Sequence, residues 1–305
     1  MTIVGPGALG RALARGLAAS GWRVGLVGRD ADATAAAAAE CSVEVAGHSG
    51  DLAAAVAGAD PLLLTVPDDA LATVIASLVP VGSWTGRCVL HCSGSRGADL
   101  LSELAAAGAT TGSLHPIMSL PRVTGGAAEI PSATPFTYEG DPAALPLVTR
   151  MVDDLGGRLQ RLGGGGKALY HLASCLAGNL ATVLLGLSSE LLEEVAIEDG
   201  AELLSPLATR SVSGAAATEP YAALTGPLAR GDVDTLTAHV TALRSSRRLR
   251  LLRAYLDLQL LALDALRREG RAPERHDELD ELLRRELATL TEECVDGGDG
   301  VDGSV

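Results

Sequence analysis

The chain is poor in several residue types, and each shortage excludes something. Its 305 residues include one lysine, Lys167, while every other basic residue is arginine. Guanidinium holds its proton at neutral pH, whereas a buried ammonium can be tuned to give one up. The lone lysine is therefore a candidate for proton chemistry, with a plain anion contact as the alternative. Aromatics make up only 2% against 47% hydrophobic residues, so the cores must be packed with Ala, Leu and Val. The five cysteines form no CxxC pair and no Cys/His ligand cluster, which reads as reduced, buried thiols in a cytoplasmic protein rather than a metal site or a disulfide framework. Positive charge is also short: the formal net charge of −14 argues against nucleic acid or an anionic membrane as partner. The clustered Arg244, Arg247, Arg248, Arg250 and Arg253 read as a solvated helix face. No signal peptide is expected, because Arg11 and Arg15 break the apolar start.

One long uncharged run, residues 168–189, reaches bilayer length. His171, Ser174, Asn179, Thr182 and Ser188 fall inside it or at its edge, and polar groups are costly in lipid, so a buried central helix of a soluble domain is expected.

A chain of this length is expected to divide into two domains. Up to about residue 162, short apolar strands alternate with helices: strands at 2–4, 23–27, 60–66, 87–91, 110–114, 135–138 and 158–162, and helices at 8–20, 31–39, 70–78, 98–107 and 146–155. That alternation predicts an α/β fold, a Rossmann-type, doubly wound, mostly parallel sheet. After the four glycines at 163–166 only helical periodicity remains, over about 167–195, 201–216, 232–244, 246–269 and 276–291. The expected division is a dinucleotide-binding domain at 1–163, an all-α domain at 164–291 for substrate binding and dimerisation, and a disordered acidic tail at 292–305.

Gly5, Gly7 and Gly10 form GxGxxG between the first strand and the first helix. In that context the first glycine allows a tight turn, the second lets backbone approach a pyrophosphate, and the third lets helix and strand pack closely. Ala8 and Leu9 complete the loop, and Val66-Pro67 end a neighbouring strand on the ligand side. The second strand ends in Gly28-Arg29 where NAD sites usually place a carboxylate, so NADP(H) is favoured over NAD(H), with Asp30 read as a helix cap. Asp68-Asp69 likewise read as caps of the next helix.

The GxGxxG loop, Val66-Pro67-Asp68-Asp69, His91-Cys92-Ser93-Gly94, Gly112-Ser113-Leu114-His115-Pro116, Lys167-Ala168-Leu169-Tyr170-His171 with Asn179, and Leu224-Thr225-Gly226-Pro227 with Arg230-Gly231-Asp232 together resemble one family over nearly the whole chain. It is the bacterial family that joins a Rossmann-like domain to a helical domain of unknown function. It is similar in architecture to ketopantoate reductases, pyrroline-5-carboxylate reductases and β-hydroxyacid dehydrogenases. The resemblance to the ketopantoate and β-hydroxyacid enzymes implies that Lys167, opening a long interdomain helix, protonates the substrate oxygen. It also implies that the Ser93-Gly94-Ser95 loop holds a substrate carboxylate. Position 171 is His where those enzymes carry Asn.

Lys167 and His171 are four residues apart and share a helix face, and Asn179 lies about 80° round from His171. The positive end of the helix dipole lowers the lysine pKa. His171 reads equally as a core histidine, His115 as a pocket residue or a structural hydrogen bond, and Ser93 and Ser95 as ligands or ordinary loop residues. The leading expectation is an NADPH-dependent reductase of a small 2-oxo acid or related carbonyl, ketopantoate-like by analogy, acting as a homodimer through the helical domain. The alternatives are an imine reductase of the pyrroline-5-carboxylate reductase type and a dinucleotide-binding regulator without turnover.

Overall fold

The computed structural model describes residues 1–120 and 129–296. Two compact units, 1–183 and 184–305, divide the chain. The first contains an eight-stranded sheet: β1 (Thr2–Val4), β2 (Gly25–Gly28), β3 (Glu44–His48), β4 (Leu62–Leu64), β5 (Cys88–His91), β6 (Thr110–Pro116), β7 (Pro135–Gly140) and β8 (Arg158–Arg161). The spatial order is β3-β2-β1-β4-β5-β6-β7-β8, and every pair is parallel except β6 with β7. The expected doubly wound sheet is thus the observed one. Strand β3 is an addition to the expectation. It is a largely exposed edge strand with a glycine next to its last residue, so it lacks the continuous apolar run that marks β4 and β5.

Both sheet faces are covered. Ile3, Leu26, Leu63, Leu90, Leu114 and Phe136 pack on one face with α1 (Ala8–Ala19), α2 (Ala31–Cys41) and the Leu145–Asp154 helix. Val4, Val27, Leu62, Leu64 and Val89 pack on the other with Leu71, Ile75 and Leu78 of the Asp68–Leu78 helix. Each such side chain, fully buried, contributes roughly 1.5–3 kcal/mol, which explains how a core with so few aromatics suffices.

The second unit is helical, as expected. Leu236 and Val240 of the Val233–Ser245 helix, Leu252, Leu256 and Leu263 of Leu249–Arg268, and Leu279 and Leu283 of His276–Asp296 form its core. Arg244 pairs with Glu286 and Glu293, and Arg248 with Glu190 and Glu194, so these arginines belong to helix–helix ion pairs. Gly231 is left-handed (φ 73°), and Asp232 accepts from Thr235 N at 3.0 Å, so Arg230-Gly231-Asp232 is a turn followed by a helix cap.

Two expectations need correction. The tail does not begin at Glu292, because the last helix runs on to Asp296; the remainder, 297–305, lies outside the described residues. The long helix Lys167–Glu193, with a π turn at Leu176–Leu180, is not a buried core helix. Leu169 is 76% exposed and Leu172, Leu176 and Leu180 about half exposed, whereas the residue it does bury is Lys167. Apolar side chains occur all around this helix, and the described residues do not cover them.

Candidate active site

The loop after β1 has the shape its glycines require. Gly5 sits at φ +108°, and a Cβ there would lie 2.8 Å from Val66 N. At Gly10 a Cβ would overlap the Gly5 carbonyl and approach Thr65 Oγ1, whose hydroxyl donates to Gly5 O at 2.7 Å. Gly7 differs: a Cβ there meets nothing within 4 Å, and the residue faces solvent as the N-cap of α1 without any side-chain cap. Ala8 and Leu9 begin that helix half-buried, and Val66, just past the end of β4, lies against Gly5. Uncapped amides at a positive helix end, with open space in front of them, fit a pyrophosphate. At the end of β2, a Cβ on Gly28 would press on Pro6 and Thr34, which leaves no room for an acidic side chain. Asp30 caps α2 through Ala33 N at 2.8 Å, while Arg29 is exposed and among the described residues has no ion-pair partner.

The strand ends that follow carry a polar cluster. Register aligns Leu64, His91, Ser113 and Glu139 across β4, β5, β6 and β7, so their side chains share a face, and His115 and Thr137 lie one pleat further along. The C-terminal ends of β1, β4, β5 and β6 follow one another at about 4.8 Å per strand. This row leads from the glycine loop to His115 along the edge where doubly wound sheets bind ligands. Lys167, Tyr170 and His171, on one face of the helix that begins at Lys167, close over it.

Lys167 is 4% exposed, and its Nζ has no hydrogen-bond partner among the described residues; it sits 5.3 Å over the Tyr170 ring. Burial lowers its pKa below the usual lysine range, opposed chiefly by the Glu139 carboxylate. Glu139 Oε2 is itself buried without a partner among the described residues. His115 Nδ1 lies 2.6 Å from the Tyr170 hydroxyl, and its ring stands edge-on to those of Tyr170 and His171. Burial, with the Lys167 charge, pushes the His115 pKa down to about 4, so the ring is neutral at pH 7. His91 is fully engaged: its Nδ1 accepts from Ser93 N, so Nε2–H donates to Gly97 O at 2.9 Å.

The serine loop is tied from within. Ser93 Oγ and Ser95 Oγ both donate to Asp68 Oδ2, at 2.9 and 2.6 Å, while the Ser95 and Arg96 amides donate to Ser93 Oγ. Asp68 is therefore not the expected helix cap; no side chain caps that helix, because the carboxylate turns to the serines. The structure brings together Lys167, His171, His115, Ser93 and Ser95. Asn179 is not brought in: the π turn shifts the helix phase, and its side chain is exposed without a hydrogen bond. Tyr170, Asp68 and Glu139 belong to the cluster although the sequence reading gave them no part in it. The signals were the three-residue step from Lys167 to Tyr170 and the alternation through Thr137 and Glu139. A separate cavity of about 520 Å³ in the helical unit is lined by leucines with His239 and Tyr255 and contains none of these groups.

Residues 1–95 match a family described as NADP oxidoreductase, coenzyme F420-dependent, and residues 134–260 match a domain of unknown function, DUF2520. Each match covers less than half of the chain: the first takes in β1 to β5, and the second runs from β7 through β8 into the helices that follow. No curated protein sequence matches it. Among solved structures it is similar to protein BF3122 from Bacteroides fragilis, at 20% identity over 86% of this chain and 96% of that one, TM-score 0.68. It is similar to an imine reductase of Streptomyces aurantiacus at 18% identity over 92% and 98%, TM-score 0.63. A pyrroline-5-carboxylate reductase from Coxiella burnetii aligns at 16% identity over 98% of both chains, TM-score 0.54. At these identities the likeness is one of fold.

Proposed function

We propose that this chain reduces a small 2-oxo acid or related carbonyl with NADPH, and that Lys167 donates the proton to the developing alkoxide. The observation that carries this reading is a buried ammonium with no hydrogen-bond partner among the described residues, at the ligand edge of a dinucleotide-binding sheet. A buried donor left unsatisfied costs about 1–3 kcal/mol, and a substrate oxygen is the partner that offsets it. The bound nicotinamide supplies the hydride. The chain's residues do the rest: the Gly5–Gly10 loop and α1 receive the pyrophosphate, Arg29 receives the 2′-phosphate, and Lys167 gives one proton to oxygen and is recharged from solvent. Preference for NADPH over NADH rests on Arg29 and on the absence of space for a side chain at Gly28.

A second reading, imine reduction, is favoured by Asp68. Its carboxylate accepts hydrogen bonds from the Ser93 and Ser95 hydroxyls, so the loop presents an acceptor to an iminium more readily than donors to a carboxylate. The two substrate arms are separated by a panel of 2-oxo acids, neutral ketones and cyclic imines, run with NADPH and NADH in parallel. Lys167→Ala should remove carbonyl turnover and leave NADPH affinity unchanged; lost affinity would instead make Lys167 a phosphate ligand. Nucleotide binding without turnover on the whole panel would favour a regulator. The exposed leucines of the Lys167–Glu193 helix further suggest a second copy of the chain as partner.

A further inference from the structure

The pairing of His115 with Tyr170 gives the site a second donor. An imidazole nitrogen is a much stronger base than a phenol oxygen, so at 2.6 Å the Tyr170 O–H donates and His115 Nδ1 accepts. Burial holds the Tyr170 phenol above its ordinary pKa, which keeps that proton in place. A neutral ring whose Nδ1 accepts carries its one proton on Nε2. That atom has no partner among the described residues and lies against Gly94, 2.8 Å from where a Cβ would stand; the same Cβ would lie 2.7 Å from His171 Cδ2. The absent side chain at residue 94 keeps both rings where they are.

We infer that Tyr170 is a positioning residue that locks His115 as an Nε2–H donor, and that this N–H holds the electrophilic group of the substrate beside Lys167. The inference rests on the reductase reading above. It gives the two groups separate tasks: a neutral donor that polarises the group throughout the reaction, and an ammonium that delivers the proton. A neutral imidazole suits the first task because it stays bonded without transferring its own proton.

The test uses the full-length protein labelled with 15N-histidine, the His115 signals being assigned by their loss in His115→Gln. Between pH 6 and 8, Nδ1 should resonate as a bare acceptor and Nε2 as N–H. Tyr170→Phe keeps the ring and removes the donor; it should lower kcat roughly ten- to a hundred-fold, with the KM for NADPH unchanged, somewhat less than the about 10²–10³-fold lost when an oxyanion donor is deleted. It should also populate the Nδ1–H tautomer. His115→Gln, whose amide N–H can stand in for Nε2–H, should retain more activity than His115→Ala, and this comparison stands if Tyr170→Phe folds poorly. An Nδ1–H tautomer in the wild type would overturn the inference. So would wild-type kcat in Tyr170→Phe, or equal activity of the Gln and Ala variants, while the reductase reading survived. No turnover on any carbonyl or imine, with the tautomer as expected, would sink the reductase reading and the inference with it.

Discussion

Lys167 is held where an ammonium is least comfortable. It is buried, its Nζ has no hydrogen-bond partner among the described residues, and its pKa is depressed by desolvation. A group arranged this way costs the fold stability, so Lys167→Met should stabilise the protein by about 1–3 kcal/mol while abolishing turnover. The sign of its pH dependence follows from linkage. Because the folded pKa lies below the unfolded one, the unfolded chain binds the extra proton between them, and the wild type gains stability as pH rises through that window. The advantage of the methionine variant should be full below the folded pKa and shrink toward pH 10.5. Urea unfolding of both proteins at pH 7 and above 9 checks this, and a destabilised variant at pH 7 would mean that Lys167 has a partner in solution. Lys167 was legible in the sequence because it is unique there. Tyr170 was not, since a helix face presents both the third and the fourth residue onward, and only packing against β6 decides which of them meets His115.

Among the elements, the glycine loop was the most legible part of the chain. Gly5 and Gly10 answer local backbone demands, and such demands are written in consecutive residues. The polar cluster is the opposite case. His91, Ser113 and Glu139 become neighbours only through strand register, which no single stretch of sequence declares. Edge strand β3 was missed for a related reason, because an edge strand has no need of a fully apolar run. The three glycines also separate folding from binding. Gly7→Ala adds a methyl that meets nothing in the protein, so its melting temperature should stay within a few degrees of the wild type. The methyl would enter the space kept for pyrophosphate, so NADPH affinity measured by calorimetry should fall at least tenfold. Unchanged affinity would place the dinucleotide elsewhere.

At the scale of the whole molecule, the change from alternating strands and helices to helices alone was legible at the four-glycine run, whereas the two compact units divide at 183/184, inside the helix that follows. The exposure of the Lys167–Glu193 helix was not, because its composition alone reads as a core helix. Leu169, Leu172, Leu176 and Leu180 stand on it uncovered, which exceeds what isolated surface leucines explain. We expect light scattering at micromolar concentration to give twice the chain mass of 31.0 kDa. Leu169→Glu combined with Leu176→Glu should shift the protein to monomer. A monomeric wild type would remove the dimer from the proposal and leave the chemistry at Lys167 untouched.

The buried ammonium has one more consequence. Since no other of the 305 residues carries an ε-amine, Lys167 is the one side chain among them that an amine-directed reagent can modify. The protein therefore carries a built-in single-site label in the centre of its polar cluster. The rate at which that label is taken up, with and without each candidate ligand, would report occupancy of the site before any turnover assay exists.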